Sequence, residues 1–209
     1  MKKLICVLLS FVFLFSFSAC KSEPLAGDVG TIVKFGSYEQ DNDLENGKEE
    51  IEWLVLAKEG DKSLIISKQI LDAQAYNSED AAVVWESSSL RTWLNTTFLD
   101  DAFSASEQEK ILSTSVKNEV DTEDKIFLLS SDEAEDYFSS AKSRQASSTA
   151  YAQARGAKVY DGFSGWWLRT RGHVRYGAHY VFTDGKVISD GITVSSSFVG
   201  VRPALWVNL

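Results

Sequence analysis

Both histidines of the chain, His173 and His179, fall in one stretch, Thr170 to Val199, interleaved with Arg171, Arg175, Tyr176, Tyr180 and Phe182. Imidazoles set so close together raise metal binding and acid–base catalysis as the first chemistries to weigh. A zinc site needs a third ligand at a recognisable spacing, and none accompanies this pair. Asp184 and Asp190 each precede a glycine, a dipeptide in which Asp serves turns. No GxSxG, HExxH, P-loop or GxGxxG motif occurs. Rings, guanidinium groups and small polar residues together suit a binding face instead, because Tyr, Trp and Arg offer stiff contact area with a polar end and Ser and Gly adapt around them. The expected ligand-contacting set is Trp167, Arg171, His173, Arg175, Tyr176, His179, Tyr180, Phe182, Thr183, Asp190 and Phe198. No catalytic residue, metal or cofactor is expected.

Parity along an extended segment divides these residues. Arg169, Arg171, His173 and Arg175 alternate, so a strand would set them on one face as a basic patch that either holds an anionic ligand group or pairs with neighbouring acids. Tyr176, Tyr180 and Phe182 take the other parity, and an irregular loop could join both sets on one surface. Trp53, Trp93 and Trp206 sit in apolar periodic runs and read as core. Of the adjacent Trp166 and Trp167, one is expected inside and the other near the face.

Length and charge bound the class. With 209 residues, 44% hydrophobic and 12% aromatic residues and 2 prolines, the chain should fold as one domain with a substantial core. Its net charge of -9 argues against nucleic acid, whose phosphates are held by clustered cations. The N-terminus carries Lys2 and Lys3 before an apolar run from Leu4 to Phe17, the pattern of a signal peptide and too short to span a bilayer. Phe17-Ser18-Ala19-Cys20 resembles a lipoprotein lipobox, so residues 1–19 are expected to be removed, Cys20 to carry lipid and residues 20–30 to act as a tether. The membrane is then one partner, through that lipid, on the extracytoplasmic side. The other is an unknown protein or glycan. After processing only Cys20 remains, so the domain holds no internal disulfide and no cysteine nucleophile.

The elements that must position the site read as α+β over residues 31–209. Thr31 to Phe35, Ile51 to Lys58 and Ser63 to Ser67 are strand-like, rich in β-branched and apolar residues. From Ser88, a cap, Leu90, Trp93, Leu94, Thr97 and Phe98 recur at helical spacing, with Arg91 and Asn95 opposite. A helical piece around Glu107 to Leu112 and a strand at Ser113 to Lys117 follow. Lys125 to Leu129 is a strand candidate, and Ser130 with Glu133 signals a capping box opening a short helix. Ala150 to Arg155 reads as a helical turn closed by Gly156. Beyond Ser164 the pattern is β and turn: Trp166 to Arg169, Tyr180 to Thr183, turns at Asp184-Gly185 and Asp190-Gly191, and a last strand from Val199 to Val207 in which Pro203 implies an edge, a bulge or a break.

WWLRTRG, YVFTDGKV and GVRPALWVNL near the C-terminus are similar to a bacterial family, domain of unknown function 6273. The resemblance extends back through VKFGSYEQ, IEWLVL, SLRTWLN, KIFLLS and TAYA. The Gly200, Arg202 and Pro203 unit also resembles the ending of C-type-lectin-like and formylglycine-generating-enzyme-like domains, including variable proteins of diversity-generating retroelements. That likeness implies helices flanking a small twisted antiparallel sheet, with a long irregular stretch before the last strand presenting the binding face. It implies no enzyme activity here, since the formylglycine-generating relatives depend on active cysteines. The sugar-binding calcium motifs EPN and WND are missing as well. Arg169 and Arg202 occupy motif positions and are expected to serve the scaffold. Thr170 to Val199 contains no Glu, Gln, Met or Trp and a single Lys, Lys186; adenine-directed mutagenesis of asparagine codons would leave that signature, as would chance in a short turn-rich region.

Overall fold

The computed structural model of the chain describes residues 27–174 and 176–208. Cys20, the expected signal peptide and most of the expected tether lie outside these residues, as does Arg175. In chain order the elements are β1 (Ile32–Tyr38), β2 (Glu49–Glu59), β3 (Lys62–Ser67), β4 (Asp72–Ala73), α1 (Ser89–Trp93), α2 (Leu99–Ala102), α3 (Ala105–Gln108), β5 (Thr114–Val116), β6 (Thr122–Asp124), α4 (Ser131–Tyr137), α5 (Ala141–Arg144), α6 (Ala150–Ala154), β7 (Val159–Tyr160), β8 (Phe163–Ser164), β9 (Trp166–Arg171), β10 (Gly177–Val181), β11 (Val187–Thr193), β12 (Gly200–Val201) and β13 (Ala204–Asn208). The class is α+β. Among the described residues no helix is long and apolar enough to cross a membrane.

Two sheets carry the fold, one in the order β1-β2-β3-β13 and the other in the order β11-β10-β9-β12-β4. Every pairing in the first is antiparallel, and in the second only β12 against β9 is parallel. In β2 the period-two pattern sends Ile51, Trp53 and Val55 into the core, while Glu50 and Glu52 point out to pair with Lys34 and Lys68. The Trp53 indole donates to the Phe35 carbonyl at 2.7 Å, so its one polar atom is satisfied inside. Arg202 and Pro203 interrupt the last strand: β12 joins the second sheet before them and β13 the first sheet after them. The break that Pro203 implies is therefore the hinge by which the C-terminus ties both sheets together.

Ser88 caps α1, its hydroxyl accepting from the Arg91 amide. A π turn over Leu94–Phe98 follows, and its wider winding keeps Leu90, Leu94 and Phe98, spaced by four, on the buried side. Arg91 pairs with the buried Asp124 at 2.6 Å.

The expected strand at Lys125 to Leu129 does not form. Asn95 takes the backbone of this segment instead: its carbonyl oxygen accepts from the Lys125 and Ile126 amides, and its amide donates to the Ile126 carbonyl. Phe127 makes an isolated bridge to Ala204, and Ile126, Phe127, Leu128 and Leu129 are all buried. A buried apolar run can thus satisfy its backbone through side chains as well as through a ladder. The capping box does form, with Ser130 accepting from the Glu133 amide at the start of α4. Gly156, at φ 117°, closes α6.

Candidate functional site

β9 lies between β10 and β12, so neither edge is open, and both of its faces are covered as well, Trp166 by Phe138 and Arg202 and Trp167 by Tyr76 and Tyr180. That burial corrects the expectation for the tryptophan pair, because Trp166 and Trp167 are both 0% exposed. Trp167 does not reach the binding face; its indole donates to the Gln74 carbonyl, and its ring meets Tyr76 and Tyr180 edge-on. It acts as the floor against which Tyr180 rests. The alternating basic patch does not form either. Arg169 is buried and paired with Glu133, and β9 ends at Arg171. Arg171 lies 3.7 Å from Glu119, and His173 lies 3.8 Å from Asp190. Arg169 and Arg171 have each found an acid, the ordinary fate of cations on an acidic chain.

Parity on β10 splits the remaining residues between two places. Tyr180 and Phe182 share one side, with ring centroids 6.4 Å apart. His179 takes the opposite side and is 6% exposed, packed under α4. Its Nδ1 meets the Ser131 hydroxyl at 2.5 Å, and its Nε2 has no hydrogen-bond partner among the described residues. His173 stands edge-on to it at 5.7 Å. His179 is thus a wall of the scaffold and is removed from the ligand face on which it was expected. A Ser–His pair resembles the first half of a nucleophilic triad, yet a catalytic imidazole is oriented by a carboxylate at its second nitrogen. Tyr176 is half-buried and packs against the core, its carbonyl accepting from the Val194 amide. Asp190-Gly191, expected as a turn, is an irregularity inside β11 where Gly191 adopts φ 80° against the Ala178 carbonyl.

Burial holds the His179 pKa below its ordinary value, with a smaller contribution from His173. The Ser189 carbonyl, Asp132 and Asp190 pull the other way without overcoming it. The unfolded chain therefore binds this proton more readily than the folded one, so stability should fall as pH drops through about 6.5 toward the folded value. Urea midpoints measured from pH 7.5 down to 5 should decline more steeply for the native chain than for His179→Asn; parallel declines would remove the histidine from the account. Ser131→Ala, which leaves Nδ1 without its partner, should cost about 1–3 kcal/mol at neutral pH.

The other side of β10 opens onto a cleft of about 400 Å³ lined by Lys158, Tyr160, Tyr180, Phe182, Thr183 and Phe198, with Val159, Ile192 and Val199 filling its walls. The β7–β8 hairpin builds one lip. Asp161 and Gly162 both have positive φ, 49° and 82°, as a two-residue type I′ turn requires. This tight reversal holds Tyr160 out at 68% exposure opposite Phe182 at 44%. Gly165 keeps the approach open, since a Cβ there would lie 3.5 Å from the Tyr180 ring and 3.0 Å from the Val181 carbonyl. Lys158 donates its amide to the Phe198 carbonyl, and its ammonium sits 4.0 Å from the centre of the Phe198 ring. A smaller adjoining hollow is lined by Gln145, Asp161, Phe163 and Asp184 and shares Tyr160, Phe182 and Thr183 with the cleft.

Four of the expected contact residues, Tyr180, Phe182, Thr183 and Phe198, thus converge on one concavity, while Trp167 and His179 are buried and Arg171, His173 and Asp190 stand exposed outside its lining. The hairpin lip was missed. The Asp161-Gly162 dipeptide between Val159-Tyr160 and Phe163-Ser164 is the short-range signal that could have found it. For a metal, Glu39, Asp41 and Glu49 bring carboxylate oxygens within 4.8 Å of one another at the β1–β2 connection. The Glu39 carboxylate already accepts from the Asn42 amide and that of Glu49 from the Gln40 amide.

A family model described as "Domain of unknown function (DUF6273)" matches residues 60–209. The chain belongs to the DUF6273 family. The matched span begins after β2, so VKFGSYEQ and IEWLVL precede it, yet β2 pairs with β3 over Trp53 to Glu59 and joins the two parts in one sheet. Every residue of the cleft lies inside the DUF6273 span. No curated protein matches the chain, and no solved structure matches it.

Proposed function

We propose that this DUF6273 protein is a lipid-anchored, extracytoplasmic ligand-binding protein of C-type-lectin-like or formylglycine-generating-enzyme-like architecture, whose ligand face is the aromatic cleft beside β10. It binds and does not catalyse. The observation that carries this reading is the convergence of Tyr160, Tyr180, Phe182 and Phe198, from three separate segments, around one concavity. Exposed rings gathered in a hollow lose water favourably to a ligand and are enriched where binding energy concentrates. Cys20 in its lipobox-like setting supports the anchor, and a protein, a glycan or another surface molecule is the class of ligand within reach.

Exchange of Thr170–Val199 for the equivalent segment of another DUF6273 member should transfer that member's profile on an array of surface proteins and glycans. An unchanged profile with retained stability would overturn the reading. If the segment is a diversified target of a retroelement, a near-copy of its codons should lie beside a reverse transcriptase gene. A structural envelope module is the competing reading, and the burial of Trp167 and His179 favours it to that extent; Tyr160→Ala with Phe182→Ala would then leave every partner unchanged.

A further inference from the structure

Six lysines, Lys34, Lys48, Lys62, Lys68, Lys117 and Lys186, each pair with a carboxylate. Lys158 forms no ion pair among the described residues and instead lies over the Phe198 ring, at the mouth of an otherwise apolar cleft. On a chain of net charge -9 the general field repels anions, so a local unpaired ammonium is what would let one settle. The carboxylates near the cleft, Asp161 and Asp184, line the adjoining hollow on the Thr183 side, and Asp184 is already paired with Lys186. Charge across the site is therefore polarised, positive where Lys158 meets Phe198 and negative past Thr183.

Building on the cleft as the ligand site, we infer that it takes a small amphipathic anion: a flat apolar body against Tyr160, Tyr180 and Phe182, with one carboxylate at Lys158. The volume of about 400 Å³ is that of a small-molecule site and admits a two-ring body. The rings supply apolar area and edge-to-face contacts, and the ammonium supplies a charge-assisted hydrogen bond at the mouth. Phe198 serves both, since its face holds the ammonium in place before the anion arrives and thereby reduces the ordering cost of binding.

Naphthoate and its uncharged amide, naphthamide, share a body and differ in the head. Binding of each to the full chain, followed by ligand-observed saturation-transfer NMR, separates the two parts of the inference. Naphthoate should bind more tightly than naphthamide. Lys158→Gln should weaken naphthoate about tenfold and leave naphthamide within about twofold, while Phe182→Ala should weaken both; a tenfold loss corresponds to about 1.4 kcal/mol. Both substitutions fall on exposed side chains, so the fold should persist. Equal loss of the two probes in Lys158→Gln, or tighter binding of naphthamide by the native chain, overturns the anionic head and leaves the cleft standing. If neither probe binds, or if Phe182→Ala changes neither, the inference and the cleft as ligand site both fall.

Discussion

Glu133→Ala is expected to lower folding stability by about 3–5 kcal/mol, one of the largest losses of any single change in this domain, because it strands a buried guanidinium. Arg169 is 2% exposed, and its fork is closed on Glu133 through both terminal nitrogens, one contact at 2.6 Å and the other shorter. Its remaining donors reach the Leu128 carbonyl at 2.8 Å and the Lys117 carbonyl at 3.1 and 3.3 Å. Glu133 is by contrast about a third exposed, and it also closes the capping box of α4. The pair is therefore asymmetric. Loss of the acid leaves a charge that water cannot reach, whereas loss of the base leaves a carboxylate that water partly can. Arg169→Met should cost less than Glu133→Ala, and the double variant should cost less than the sum of the two. Urea denaturation of all four chains forms the cycle, and a cost below about 1 kcal/mol for Glu133→Ala would show that the pair contributes no more than an exposed one.

Arg202→Ala is expected to be comparably severe for a different reason. Among the described residues this buried arginine has no carboxylate partner, and burial pushes its pKa down. It is held by the carbonyls of Ser67, Arg144 and Lys68 at 2.9, 3.3 and 3.4 Å, and by two rings, Trp166 at 5.0 Å and Phe138 at 5.3 Å. Alanine would empty the slot between those rings and take a donor from all three carbonyls, of which only that of Arg144 keeps another among the described residues, the Trp166 indole, at a cost of about 3–5 kcal/mol. Methionine would keep most of the volume and should recover part of that loss. Lysine would keep the charge without the planar fork that three separate carbonyls require, so it should not restore the native midpoint. Thermal or urea midpoints rank the series; full recovery by lysine would mean that charge alone, and not shape, holds the sheets together.

Local patterning carried far into the fold. The strands at Thr31 to Phe35, Ile51 to Lys58 and Ser63 to Ser67, the Ser88 cap, the Ser130–Glu133 capping box and the Gly156 stop all follow from backbone preference and burial period acting over a few residues. KIFLL shows where such signals end. Its composition is that of a strand, but Asn95, thirty residues earlier in the chain, occupies its backbone groups, and no window around residue 125 contains that information. Arg169 and Arg202 were legible as scaffold residues from their motif positions, while their partners, Glu133 and a ring sandwich, were not.

By itself the sequence determined the class, the acidic and aromatic character, the family likeness and the stretch in which a binding face would be found. Each of these depends on composition or on short-range order. Only the tertiary structure decided which residues of that stretch share a surface. Parity sets Tyr180 and Phe182 on one side of β10 and His179 on the other, but whether a side faces solvent, a helix or a second hairpin depends on what packs there. Tyr76 and Tyr180 cover Trp167, α4 covers His179, and the β7–β8 hairpin raises Tyr160, with Lys158 just before it, into a lip that no residue of the Thr170–Val199 stretch announces. A concave site is made where distant segments meet, and their meeting is a property of the packed core.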